Sequence, residues 1–103
     1  MQSLPNHKQR FISDVIQQVL GKSAPYEVIL FGSYATGKMH PKSDIDIAIR
    51  MNGPIPKASW QQIEEIFEES DLKEEVEVVD YHRVTDNFRK IIDNTGTVLL
   101  KVK

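Results

Sequence analysis

The sequence predicts a domain of the α/β (α+β) class, a small sheet with helices packed on it. Three observations carry that reading. An apolar stripe recurs at helical spacing near the N-terminus, three later segments are continuous or strictly alternating apolar runs, and the elements follow in the order helix, strand, loop, strand, helix, strand, helix. The chain has 103 residues, with no composition shift, repeat or linker to divide it. A single domain over residues 1–103 is expected.

In chain order, Asn6 with Gln9 three residues on reads as a helix start, and Phe11, Ile12, Val15, Ile16, Val19 and Leu20 form one face until Gly21. Val28-Ile29-Leu30-Phe31, held between Pro25 and Gly32, is too short for a helix and suits a buried strand. Gly32 to Lys42 lacks periodicity and is expected to be a loop with room for one helical turn. Asp44 to Arg50 alternates, with Ile45, Ile47 and Ile49 on one face and Asp44, Asp46, Ala48 and Arg50 on the other.

Ser59 and Gln62 resemble a capping box for a helix whose inner stripe is Trp60, Ile63, Ile66 and Phe67. Glu75 to Asp80 alternates again and predicts a third strand. Thr85 or Asp86 would cap a last helix through Phe88, Ile91 and Ile92, and the tail from Thr97 suits a strand or a helical turn. Eight acidic residues crowd Glu64 to Glu77 against Lys73 alone, the pattern of a solvated face.

Composition removes several functions. Thirteen Lys and Arg against fifteen Asp and Glu give a net charge of −2, so bulk charge would hold the chain on neither nucleic acid nor an anionic membrane. No cysteine is present, which excludes disulfides, thiolate zinc sites and thiol catalysis. The first residues carry no signal-peptide pattern and no apolar run is long enough to span a membrane, so a cytoplasmic protein is expected. A chain of this size buries about 60–70% of its unfolded surface, which leaves little for a separate substrate domain. If it is an enzyme, another molecule presents the acceptor.

The chemistry centres on Gly32-Ser33 after a strand, ten further residues, then Asp44-Ile45-Asp46 opening the next strand. Carboxylates two residues apart on a strand share a face at about 6.6 Å. Such a pair can simply face solvent, but two neighbours argue otherwise. Gly32 permits close backbone approach, and Ser33 offers a hydroxyl and an amide to a phosphate oxygen. In the third strand Val76 and Val78 match the isoleucines, which turns Glu77 to the side of Asp44 and Asp46, whereas Asp80 falls by parity on the apolar side. Glu77 is therefore preferred to Asp80 as a third carboxylate. Oxygen ligands of this number suit Mg²⁺, with Mn²⁺ as a substitute, completed by phosphates and water.

Gly32 to Lys38 matches seven places of a P-loop, but Met39 stands where a hydroxyl is needed and His40-Pro41 stops the following helix. His7, His40 and His82 lack paired spacing and read as surface residues. Trp60 and Phe67 read as core. Tyr34 is left between a base-stacking platform and a partner contact.

Together, Gly32-Ser33, the ten-residue spacing, Asp44-Ile45-Asp46 and Val76-Glu77-Val78-Val79-Asp80-Tyr81 resemble the signature of the minimal nucleotidyltransferases of the DNA polymerase β superfamily. The similarity is greatest to the antitoxins encoded beside HEPN-domain toxins. The resemblance implies a mixed sheet with helices on one face and an open catalytic cleft on the other. It implies transfer of AMP from ATP with two Mg²⁺ ions, to a tyrosine hydroxyl of a small helical HEPN-domain ribonuclease held in a hetero-oligomer. By position, Asp44, Asp46 and Glu77 would ligate the metals and carry catalysis, and Gly32, Ser33, Ser43 and Lys42 would bind the nucleotide. Two departures stand out. Glu77 replaces the usual aspartate, and Tyr34 and Thr36 stand where many relatives carry loop arginines, which leaves phosphate neutralisation to Lys38, Lys42 or Arg50. The competing reading is a catalytically silent module of the same fold that masks a partner through its surface. A transferase acting on a small molecule or tRNA is disfavoured because such enzymes usually carry extra acceptor domains.

Overall fold

A computed structural model describes residues 4–21, 25–38 and 43–103. The elements are α1 (Asn6–Leu20), β1 (Tyr26–Phe31), α2 (Ser33–Thr36), β2 (Ile45–Arg50), α3 (Lys57–Glu68), β3 (Val76–Asp80), α4 (Asp86–Thr95) and β4 (Thr97–Val102). The strands form one mixed sheet in the order β3-β2-β1-β4. Strand β1 is antiparallel to both β2 and β4, while β2 and β3 run parallel. A parallel pair needs a crossover, and α3 supplies it.

The alternation read from the sequence assigns the two faces. Val28 and Leu30 of β1, Ile45, Ile47 and Ile49 of β2 and Val78 of β3 point to one side, where Ile12, Val15, Ile16 and Leu20 of α1 and Ile63 and Phe67 of α3 complete the main core. Trp60 and Ile66 pack against it, as their helical spacing predicts. The other side carries a second cluster, with Ile29, Phe31 and Ala48 covered by Ile92 and Phe88 of α4. The expectation of helices on one face alone is thereby corrected. Helix α4 covers part of the second face because Phe88 and Ile92 need apolar surface, and it leaves the end of β2 and β3 that bears the carboxylates uncovered.

Two helix starts differ from the capping boxes expected. Helix α1 begins at Asn6 itself, with Pro5 in the cap position and no side-chain cap; Gln9 Nε2 instead donates to the Leu4 carbonyl at 2.7 Å. Helix α3 starts at Lys57, two residues before Ser59, after Pro56. The fixed φ of proline pre-sets the entry, and Trp60 N donates to Pro56 O at 2.9 Å. At α4 the expected cap is present, since Thr85 Oγ1 accepts from Phe88 N at 3.2 Å. The tail resolves to strand β4, antiparallel to β1.

The acidic run is solvated except at Glu74, which turns inward to pair with Lys8. Asp80 lies on the main-core side, as parity predicts, and is buried. Its carboxylate accepts from Ile55 N at 2.8 Å, His82 N at 3.0 Å and Arg83 Nε at 3.2 Å. It thereby ties the entry to α3 onto the end of β3. No helix among the described residues is long and apolar enough to cross a membrane.

Candidate active site

Asp44 immediately precedes β2 and Asp46 lies within it. In the parallel register Asp46 pairs with Glu77, and in the antiparallel register it pairs with Phe31. Glu77 therefore stands one strand spacing, about 4.8 Å, from Asp46 and on its face. The next residue after Phe31 is Gly32, at φ 75° and ψ −153°. A Cβ there would overlap Asp46 Oδ2 and stand 3.2 Å from its Cγ. The missing side chain of Gly32 is the space that the Asp46 carboxylate occupies.

Electrostatics mark the same spot. Asp44 and Glu77 are exposed, while Asp46 is partly buried. Burial, then the negative charges of Glu77 and Asp44, and a hydrogen bond with Glu77 push the Asp46 carboxyl up to about 6. Three acids on one small patch disfavour full ionisation unless a cation compensates. Among the described residues no three such groups are gathered into a complete ligand set. The donor chemistry nevertheless fits a divalent ion of the Mg²⁺ type, because all the donors are carboxylate oxygens and their mutual repulsion is what a cation relieves.

The other expected site residues divide. Ser33 opens α2 beside Gly32 and is partly exposed. Ser43 is buried just ahead of Asp44. Lys42 lies outside the described residues, as does His40. Lys38 is exposed one residue past Gly37. Arg50 is corrected as a phosphate ligand. It sits four residues beyond Asp46, about 13 Å along the strand, and its guanidinium is engaged by Glu27, by Asp93 at 3.6 Å and by the Tyr81 ring at 5.2 Å. Thr36 Oγ1 turns back to the Gly32 carbonyl at 3.3 Å.

Tyr34 is a partner of the core rather than a surface platform, with the residue 7% exposed. His7 is exposed as expected, but His82 is half-buried, with Nε2 against the Met51 carbonyl at 2.5 Å. Sequence reading missed the Lys8, Glu74 and Tyr34 cluster, in which Lys8 Nζ lies 2.5 Å and Tyr34 Oη 3.4 Å from Glu74 Oε2. It also missed Tyr81, held between Arg50 and Arg89, whose guanidinium carbons stand 5.2 and 5.5 Å from the ring centre. A lone lysine in a first helical turn and a glutamate inside an acidic run carry no local signal of pairing.

The family model for polymerase beta nucleotidyltransferases matches residues 14–103 of this chain. The chain belongs to that family. Among nucleotidyltransferases it is similar to the probable protein adenylyltransferase MntA of Haemophilus influenzae, at 33% identity over 86 residues, which cover 82% of this chain and 75% of the relative. Its fold is also that of a chain in a toxin–antitoxin crystal structure with AMP-PNP, with a TM-score of 0.74 at 24% identity over 93% of this chain and 73% of that one. A second similar structure is the complex of a tri-AMPylated Shewanella oneidensis HEPN toxin with its MNT antitoxin. There the TM-score is 0.69 at 20% identity, over 91% of this chain and 70% of that one. These likenesses confirm the nucleotidyltransferase fold that the resemblance implies.

Proposed function

We propose that this nucleotidyltransferase moves AMP from ATP onto a tyrosine hydroxyl of a HEPN-type toxin and so acts as its antitoxin. The relative from Haemophilus influenzae is named a probable protein adenylyltransferase, and the Shewanella oneidensis antitoxin is bound to a toxin that carries AMP groups. The observation that carries the reading is the pairing of Asp46 with Glu77 on one face, against the side-chain-free Gly32.

In this proposal Asp44, Asp46 and Glu77 hold two Mg²⁺ ions. When bound, such ions neutralise the triphosphate, lower the acceptor's pKa and stabilise the departing pyrophosphate. The chain's own groups supply position. Gly32 lets the backbone approach a phosphate, and the Ser33 hydroxyl and amide are donors to its oxygens. Lys38 is the cation in the described loop that remains exposed to meet the outer phosphates, now that Arg50 is engaged elsewhere. A phenol titrates near 10, so its proton must be held in hydrogen bonding as it leaves. Glu77, exposed on the edge strand β3, accepts that hydrogen bond and takes the proton from the acceptor hydroxyl. The phenolic oxygen then bonds to the α-phosphorus as the bond to the bridging oxygen of pyrophosphate breaks.

The test is transfer of labelled AMP from ATP and Mg²⁺ to the partner protein. Asp44→Asn with Asp46→Asn should abolish labelling while circular dichroism stays unchanged. Undiminished labelling by that variant would end the proposal.

A further inference from the structure

The phosphate turn rests on very little local structure. Helix α2 is one turn of four residues, flanked by Gly32 at φ 75° and Gly37 at φ 77°. A single turn does not offset its own nucleation, and two glycines allow it to pivot on both sides. What holds it must come from elsewhere in the fold.

Tyr34 is the residue of α2 that reaches into the protein. Its ring belongs to the main core, and its hydroxyl donates to Glu74 Oε2 at 3.4 Å. The same oxygen takes Lys8 Nζ at 2.5 Å, with only 20% of the Lys8 side chain and 12% of the Glu74 side chain exposed. Glu74 Oε1 is buried with no hydrogen-bond partner among the described residues. A largely desolvated pair with an unsatisfied oxygen is poor stabilisation, since apolar side chains of similar volume would serve a purely structural purpose at least as well. Its geometry suggests another use. Lys8 lies in the first turn of α1, Glu74 three residues ahead of Glu77, and Tyr34 directly after Ser33. The pair thus joins the phosphate turn to the segment that delivers the third carboxylate.

We infer that Tyr34, Glu74 and Lys8 are positioning residues that clamp α2 against the segment before β3, so that Gly32 and Ser33 meet the triphosphate beside Glu77, whose own place opposite Asp46 is fixed by the β2–β3 pairing. The inference rests on the proposed nucleotide site and adds the device that keeps its two halves in register. Tyr34 acts through its hydroxyl and touches no substrate. The clamp acts before chemistry, so its loss is felt in nucleotide affinity and not in the turnover of bound nucleotide.

Tyr34→Phe keeps the ring in the core and removes the hydroxyl. The full-length variant should show a three- to tenfold rise in KM for ATP, a kcat within twofold of wild type and a melting temperature within a few degrees. Glu74→Gln should act in the same direction, and the double variant should be no worse than the poorer single one, because both break one bridge. A melting shift with unchanged KM in both single variants would reduce the cluster to a structural pair and overturn the inference, as would a fall in kcat alone. Calorimetric titration of the wild type with ATP and Mg²⁺ separates the two levels. If the wild type binds and Tyr34→Phe binds equally, the clamp fails and the site stands; if the wild type gives no metal-dependent binding, the site itself fails and takes the clamp with it.

Discussion

Gly32→Ala probes the contact on which the site depends. The backbone there, at φ 75° and ψ −153°, lies in a region open essentially to glycine alone, so an alanine stores about 1–3 kcal/mol of strain. The added methyl would also occupy the space of the Asp46 carboxylate. Asp46 relieves the overlap by rotating away from its well at about 0.5–1.5 kcal/mol, giving a total of about 1.5–4.5 kcal/mol. For a domain of this size that lowers the melting temperature by about 6–36 °C, at 4–8 °C per kcal/mol. The rotation also moves a carboxylate by more than an ångström, which costs on the order of 100-fold in rate. Gly37→Ala is the control, since Gly37 has a similar φ of 77° but nothing within 4 Å of an added Cβ. That variant should lose about 1–2 kcal/mol and keep its rate within a few-fold. Thermal melts followed by circular dichroism, with AMP transfer measured well below the transition, compare the two. Equal losses of stability and of rate in both variants would refute the proposed fit between Gly32 and Asp46.

Two further outcomes are expected. Asp80→Ala leaves the buried Ile55 N–H and the His82 N–H without their acceptor, at about 1–3 kcal/mol for each donor cut off from water. The urea midpoint should fall accordingly while AMP transfer per folded molecule is retained; a loss of transfer without a loss of stability would assign Asp80 to the site after all. In chelator, Asp46 should make the wild type less stable as pH rises. Its folded pKa of about 6 lies above the ordinary carboxyl value of 3.8, so its contribution is full below the lower value and is lost as pH passes the upper one. The melting temperature of Asp46→Asn minus that of wild type should therefore increase between about pH 4 and about pH 7, the interval spanning both pKa values. A difference that stays flat would show that Asp46 is not under strain from Glu77 and Asp44.

Much of the candidate site was legible because strand alternation is a local property. The isoleucines at 45, 47 and 49 set which side Asp44 and Asp46 share, and the valines at 76 and 78 separated Glu77 from Asp80 before any pairing was known. The Thr85 cap was equally local. Arg50 misled because the same alternation puts it on the carboxylate face, while only its cross-strand neighbour Glu27 and the Tyr81 ring determine where its charge goes. The starts of α1 and α3 misled because Asn6 and Ser59 sit in good capping contexts, yet Pro5 and Pro56 already provide the turn that begins each helix.

The amino-acid order alone determined the element sequence, the two faces of the sheet and the spacing between the glycine-serine turn and the paired aspartates, because each follows from periods of two or 3.6 residues and from turn chemistry. Only the tertiary structure decided that Asp46 pairs with Glu77, that its carboxylate fills the gap left by Gly32, that α4 covers part of the second face and that Glu74 turns inward to Lys8 and Tyr34. These contacts join residues far apart in the chain. Strand register and side-chain partners are settled by the packing of the whole core, which no local window contains.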